Sequence, residues 1–182
     1  VYFKAGLTDD ALSSFKKSLA IRRESDNASS RDIATVLYNI ATLYTKMGNI
    51  PKSLHFYKEC LVFERARKDK EKNYIIATLR RIAHLHHEQN DLPSALKYYQ
   101  EAVDLCLVNF MNEDYQVQIA SIFDRMGLIY LAKGDTETAI KTFSRAIRTN
   151  RLGGRADHAN MTASEDILSA LARQHPLHAV SS

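Results

Sequence analysis

The sequence predicts an all-α fold in which antiparallel helix pairs stack into a right-handed α-solenoid. One helical motif recurs along the chain at intervals of 42, 42 and 44 residues, and such a fixed period is typical of repeat proteins. The 182 residues include only six Gly and three Pro, whereas residues that favour helix are plentiful. Because one helix pair cannot bury its apolar face alone, neighbouring pairs are expected to stack around a continuous core.

The recurring motif is a helix with small and aromatic residues in fixed register. Its four copies align without gaps: DDALSSFKKSL (9–19), PKSLHFYKECL (51–61), PSALKYYQEAV (93–103) and ETAIKTFSRAI (137–147). One column holds small residues, namely Ala11, Ser53, Ala95 and Ala139. The column four residues later is aromatic and holds Phe15, Tyr57, Tyr99 and Phe143. We expect the small residues to form tightly packed helix contacts, where a larger side chain would overpack the core.

A second helix precedes three of these copies and is joined to each by a short turn. Its copies are VLYNIATLYTKMGN (36–49), TLRRIAHLHHEQND (78–91) and IFDRMGLIYLAKGD (122–135). The penultimate residue of each copy accepts the left-handed backbone conformation and is Gly48, Asn90 or Gly134. The next residue is expected to cap the following helix: Asn49, Asp91 or Asp135. Pro51 and Pro93 then fall in the first turn, where proline costs no hydrogen bond.

This pattern resembles the tetratricopeptide repeat (TPR). The clearest copy matches the family's columns at Leu37, Ile40, Ala41, Tyr44, Ser53, Tyr57 and Cys60. The family's Trp is missing, and the positions of its repeat-terminal proline hold Arg65, Leu107 and Arg151. The period of 42 residues, against about 34 in the family at large, resembles the kinesin-light-chain subclass. The resemblance implies a TPR superhelix that binds other proteins and is not an enzyme.

The repeats predict how the chain is organised. A TPR array is expected over 1–150, with a partial repeat at 1–24 and full repeats at about 31–69, 73–111 and 114–150. Tyr2 falls at the aromatic position of an earlier first helix, so the chain is expected to be part of a longer chain or a larger complex. A linker, a helix at about 163–174 and a frayed tail are expected in 151–182. Thr162 and Glu165 form a capping box for that helix, which either caps the array or begins another repeat.

The candidate binding surface lies on the first helices, which the resemblance implies line a concave groove. The predicted groove residues are Tyr38, Asn39, Thr42, Arg80, Arg81, His84, His87, Asp124, Arg125 and Leu128. Asn39, Arg81 and Arg125 share one column of the repeat. Asn and Arg can bind a peptide backbone or a carboxylate, and Arg does so through two bonds. The sequence therefore predicts a protein or peptide partner with acidic character, although each arginine taken alone is equally compatible with a solvated surface.

The stretch RIAHLHHEQN, residues 81–90, raises the question of a metal site. His84 and His87 lie one helical turn apart, and Glu88 lies four residues after His84, so two or three ligands could meet. A zinc motif would add another ligand at a fixed spacing, and this stretch has none. His86 occupies the aromatic column of Tyr44 and should pack between helices. Neither a metal ion nor another cofactor is expected.

Other classes of function receive little support. The net charge of +4 is too weak to indicate a nucleic-acid partner, and no apolar run is long enough for membrane insertion. No phosphate-binding loop or nucleophile motif indicates an enzyme. Cys60 and Cys106 lie in apolar helical patterns and are expected to be buried free thiols of a cytoplasmic, intracellular protein. The alternative function is a regulatory or sensory domain whose groove binds a small peptide or ligand and controls an attached effector.

Overall fold

The computed structural model describes residues 2–25, 29–67, 72–108, 113–152 and 158–174. These ranges contain eight α-helices and no strand. The helices are α1 (Tyr2–Glu24), α2 (Ser30–Lys46), α3 (Ile50–Arg65), α4 (Lys72–Glu88), α5 (Leu92–Leu107), α6 (Glu113–Ala132), α7 (Thr136–Leu152) and α8 (His158–Gln174). The chain forms two compact units, Val1–Gln89 with α1 to α4 and Asn90–Ser182 with α5 to α8. Within the described ranges, no helix combines the length and apolar character needed to cross a lipid bilayer.

The turns between paired helices have the predicted geometry. Gly48 has φ of 72° and Gly134 has φ of 76°, a left-handed conformation that costs a residue with a side chain about 1–2 kcal/mol. The next side chain caps the following helix: Asn49 accepts from the amide of Lys52 at 3.2 Å. In the equivalent caps, Asp91 accepts from the amide of Ser94 at 3.2 Å and Asp135 accepts from the amide of Thr138 at 3.1 Å. Asn90 has φ of 60°, and Pro51 and Pro93 lie in the first turns of their helices, as predicted.

In the first unit, α2 packs against α1 and α3, and α3 packs against α4. The repeat columns supply the interior: Leu37, Ile40, Ser53 and Cys60 are fully buried, and Tyr57 is nearly so. Ala11, which stands in the same column as Ser53, is only half-buried. The small and aromatic columns therefore act as the predicted contacts between α2 and α3.

In the second unit, α6 packs against α5 and α7, and α7 also packs against α8. Ala95, Ala139 and Phe143 are buried. Gly127 of α6 lies directly under the ring of Phe143, where an added Cβ would come within 2.7 Å of ring carbons. The burial of Ala95 and Ala139 thus confirms the packing predicted for the small column in this unit.

Two predictions about the ends of the chain are wrong. α1 runs unbroken from Tyr2 to Glu24, so Tyr2 does not belong to a separate earlier helix. The helix continues through Gly6, because one glycine inside a helix costs only about 1 kcal/mol. α8 begins at His158, so Thr162 and Glu165 lie inside the helix, where backbone amides already have intrahelical acceptors. Glu165 instead accepts from Arg151 of α7 at 2.9 Å. The predicted linker at 153–157 and tail at 175–182 lie outside the described residues.

Candidate functional site

Four side chains of the first unit meet across α2, α3 and α4, and we call them the Tyr38 cluster: Tyr38, Thr42, Tyr57 and Arg81. The Thr42 hydroxyl donates to the Tyr38 carbonyl at 3.0 Å and lies 2.9 Å from the Tyr57 hydroxyl. The Tyr38 and Tyr57 rings meet edge to face, with centroids 5.2 Å apart. Arg81 Nε donates to the Tyr38 hydroxyl at 3.4 Å. Three predicted groove residues are therefore brought together with one residue, Tyr57, predicted only to pack.

The electrostatics of the Tyr38 cluster keep it cationic. Burial raises the pKa of the Tyr57 hydroxyl, and this effect exceeds the opposing effect of the Thr42 hydrogen bond. The hydrogen bond to Tyr38 raises the pKa of Arg81, against a smaller opposing effect of burial. At neutral pH Tyr57 is therefore an uncharged phenol, and Arg81 presents a charged guanidinium on an exposed side chain.

The remaining groove residues of the first unit lie on α2 and α4. Asn39, Arg80, His84 and His87 are all half-buried. His84 Nε2 lies 3.4 Å from Glu88 Oε1, an ion pair only when the histidine is protonated. Among the described residues, no three His, Cys, Asp or Glu side chains come together as a metal ion would require.

Two predictions of burial are confirmed. His86 is only 8% exposed and fills the column that Tyr44 holds in the preceding repeat, as its position predicts. Cys60 and Cys106 are free and buried. Burial also raises the pKa of the Cys60 thiol, and the nearby Glu64 carboxylate adds to this effect. Cys60 is therefore protonated at neutral pH and is a packing residue.

The second unit places Asp124, Arg125 and Leu128 on α6. Asp124 Oδ1 accepts from the Ser164 hydroxyl of α8 at 2.6 Å, so the C-terminal helix contacts a residue predicted to face a ligand. Burial raises the pKa of Asp124, and the Ser164 hydrogen bond and the charge of Arg125 oppose that rise. Arg125 is exposed and Leu128 is 44% exposed. The common ladder of Asn39, Arg81 and Arg125 stays a prediction.

Glu64, near the end of α3, is a buried residue that the sequence analysis did not predict. It is only 6% exposed, and its Oε1 accepts from the Thr78 hydroxyl at 3.2 Å. The signal was present one helical turn beyond the column of Cys60, Ala102 and Ala146, where Cys106 and Asn150 are also buried. Extending the repeat alignment by four residues would have marked Glu64 as a carboxylate in an interior position.

Comparison with known proteins supports the repeat and the fold. Family models of the tetratricopeptide repeat match residues 1–61, 75–107 and 120–151. No curated protein sequence matches the chain. Three solved structures illustrate the similarity. BtubC (BKLC) from P. vanneervenii has a TM-score of 0.79 and 20% identity, over 96% of this chain and 69% of that one.

The second is a putative kinesin light chain with TPR-like repeats from Podosopora anserina, with a TM-score of 0.70 and 13% identity over 94% of this chain and 81% of that one. The third is the Rap conjugation gene regulator of plasmid pLS20 in complex with the Phr* peptide. It has a TM-score of 0.61 and 18% identity over 98% of this chain and 46% of that one. At these identities the likeness shows the fold alone, and it confirms the predicted α-solenoid class.

Proposed function

We propose that this chain, which carries tetratricopeptide repeats, is a protein-interaction scaffold whose first helices bind a peptide or helical segment with acidic character. In this proposal the array spans 1–150, with a partial repeat at 1–24 and full repeats at about 31–69, 73–111 and 114–150. The spacing of 42, 42 and 44 residues supports assigning the repeats to the long-period subclass that resembles kinesin light chain repeats. The scaffold itself is not catalytic.

The observation that carries the proposal is the way Arg81 is held. Its hydrogen bond to Tyr38 engages Nε, which leaves the end of the guanidinium to pair with a carboxylate through both Nη groups. An arginine held by a neighbour loses less conformational freedom on binding than a mobile one. Asn39, next to Tyr38 on α2, adds an amide that can bind a peptide backbone.

One solved structure with this fold contains a bound peptide. The Rap regulator was solved with a peptide bound, and that peptide is a property of that protein. For this chain, the case for a peptide rests on the cationic Tyr38 cluster and on Arg125, which is exposed on α6. Charge-assisted bonds between arginine and carboxylate contribute about 1.5–3 kcal/mol when water is excluded and less than about 1 kcal/mol when exposed.

The test compares peptide binding by the parent chain and by a double variant, Arg81→Ala with Arg125→Ala. Two pools of labelled peptides are used, one with fixed Glu residues and one with Gln at the same positions. We expect the parent to prefer the Glu pool and the double variant to lose at least about tenfold in affinity for it if the contacts are desolvated. Thermal melts report whether the variant keeps its fold.

The matched control removes two exposed arginines from second helices, Arg65→Ala with Arg148→Ala. It makes the same change in net charge without touching the predicted groove. If the control weakens Glu-pool binding as much as the double variant does, attraction is a matter of overall charge. If the double variant binds as tightly as the parent, the ligand sits elsewhere and the site is wrong.

A further inference from the structure

The first unit contains a cavity of about 290 Å³ bounded by α2, α4 and the end of α3. Its lining includes Ala34, Tyr38, Glu64, Arg67, Tyr74 and Ala77. Tyr38 and Asn39, both predicted groove residues, also face this space. The cavity therefore adjoins the surface on which the proposed function places a peptide, and its volume suits a single long side chain.

Glu64 contributes a buried carboxyl group to the lining of the cavity. Its Oε1 accepts from Thr78, whereas its Oε2 is shielded from solvent and has no hydrogen-bond partner among the described residues. Burial raises the pKa of the Glu64 carboxyl, against the opposing effects of the Thr78 hydroxyl, the nearby Cys60 thiol and the charge of Arg67. A buried acceptor without a donor is costly, so a ligand that supplies a donor at this point gains from a defect already present in the free protein.

We propose that the cavity receives a lysine side chain from the bound segment, and that the Glu64 carboxylate, whose Oε2 is shielded in the free protein, turns toward it so that the ammonium group donates to Oε2. This inference rests on the proposed function and names one side chain of its peptide. The methylene groups of lysine would pack on Ala34 and Ala77, and the rings of Tyr38 and Tyr74 would flank the chain. Aromatic faces attract cations, and the Arg67 guanidinium lies 5.4 Å from the Tyr74 ring centroid.

The charges around the cavity restrict what else the segment contains. A carboxylate in the cavity would meet the carboxylate of Glu64, and an apolar side chain would leave Oε2 without a donor. Arg31 and Arg67 also line the cavity and repel a lone cation. A lysine flanked by acidic residues satisfies both requirements, because carboxylates beside it offset the positive charge of this region while its own ammonium reaches Glu64.

The first experiment measures small probes rather than an unknown partner. Nα-acetyl-lysine N-methylamide is titrated into the isotope-labelled chain, followed by amide resonances of Ala34 and Ala77. Nα-acetyl-norleucine N-methylamide has the same carbon chain without the ammonium and is the matched probe. We expect weak lysine binding that shifts these resonances and exceeds norleucine binding about tenfold, as a charge-assisted hydrogen bond predicts. Equal binding of the two probes, or no shift with lysine, overturns the proposal.

Variants then separate the carboxylate from the cavity. Glu64→Gln keeps an acceptor for Thr78 but removes the charge, and it should abolish the preference for lysine over norleucine. Should that variant fail to fold in a thermal melt, Ala77→Leu fills the space instead and should abolish binding of both probes. Persistent lysine binding in Ala77→Leu would place the probe outside the cavity.

The pH dependence provides a second readout. The raised pKa of Glu64 means that lysine affinity should increase as pH rises and the carboxylate ionises, while the ammonium stays protonated to about pH 10. The groups that face Glu64 from the surrounding elements are Arg31, Tyr38, Cys60, Arg67, Tyr74 and Thr78. Glu64 carries the only carboxyl group among the described residues that line the cavity, so the trend should vanish in Glu64→Gln.

The outcomes also distinguish this inference from the proposed function. Arg148→Ala removes an exposed arginine of the second unit outside the predicted groove and should leave lysine binding to the cavity unchanged. If the arginine double variant binds acidic peptides normally while the lysine probe still occupies the cavity, the groove assignment fails and the cavity assignment stands. The opposite pattern removes the cavity and leaves the groove.

Discussion

The helix pairs α2–α3 and α6–α7 make the same contact by different means. In the first pair, the Ser53 hydroxyl donates to the Ala41 carbonyl at 2.9 Å and lies 2.7 Å from the Thr45 hydroxyl. The Tyr57 hydroxyl and Thr42 add a further hydrogen bond between the helices. In the second pair, the equivalents of Ser53, Thr42 and Tyr57 are Ala139, Leu128 and Phe143, none of which has a polar side chain.

In the second pair, α6 and α7 pack closely because their side chains fit together sterically. Gly127 replaces Ala41, and the missing Cβ leaves room for the Phe143 ring. Hydrogen bonds restrict the first pair by direction, whereas steric fit restricts the second, because a filled core resists added atoms. One repeat column can therefore hold either chemistry, and the two pairs should lose stability under different substitutions.

The largest expected effect is that of Gly127→Ala, which should destabilise the chain by about 1–3 kcal/mol through overpacking. The new Cβ would lie 2.7 Å from Phe143 ring carbons, and this clash outweighs the helix preference of Ala over Gly, about 1 kcal/mol. Urea unfolding of the intact chain measures the change. The double variant Gly127→Ala with Phe143→Leu is the control, and it should show strong coupling because it relieves the clash. A stability at or above that of the parent would mean that shape does not limit this pair.

An intermediate effect is expected for Tyr57→Phe, which makes the first pair resemble the second. Loss of the hydrogen bond to Thr42 should cost about 0.5–1.5 kcal/mol, since the Thr42 hydroxyl keeps the Tyr38 carbonyl as acceptor. Thr42→Val is the matched change on the partner helix. Additive losses in the double variant, measured by the same unfolding assay, would contradict a direct bond between the two hydroxyls.

The smallest effects concern ion pairs to the outermost helix of each unit. Arg23 of α1 pairs with Glu59 of α3, and Arg151 of α7 pairs with Glu165 of α8 at 2.9 Å. These side chains are partly exposed, so Glu59→Gln and Glu165→Gln should each cost less than about 1 kcal/mol. Both losses should shrink in about 1 M salt, where charges are screened within about 3 Å. Losses that do not respond to salt would indicate packing and not charge.

The predictable part of this fold is local or periodic. The turns at Gly48 and Gly134 and the caps at Asn49 and Asp135 follow from residues that satisfy backbone groups beside them. The buried columns follow from the repeat, because side chains at one register position meet the same kind of neighbour. This is why His86 could be placed inside although histidine is often exposed.

The missed features depend on contacts between distant residues. The capping box at Thr162 is overridden because α8 begins earlier, and local sequence does not fix where a helix gains tertiary support. Glu64 is ionisable, so the local sequence predicts a surface residue. Its burial depends on Thr78 of another helix, which donates a hydrogen bond to it. The hydrogen bond from Ser164 to Asp124 links residues 40 positions apart, and no repeat column signals it.

Tyr38 has a consequence for how specificity is encoded. Its hydroxyl accepts from Arg81, its ring meets Tyr57, and its side chain faces the cavity that holds Glu64. One phenol thus belongs to both proposed recognition elements, so the preference for an acidic residue and the preference for a lysine share a side chain. Residues in contact contribute non-additively. A ligand motif for this surface is therefore defined by pairs of residues. A matrix that scores each position separately would predict the affinity of such ligands incorrectly.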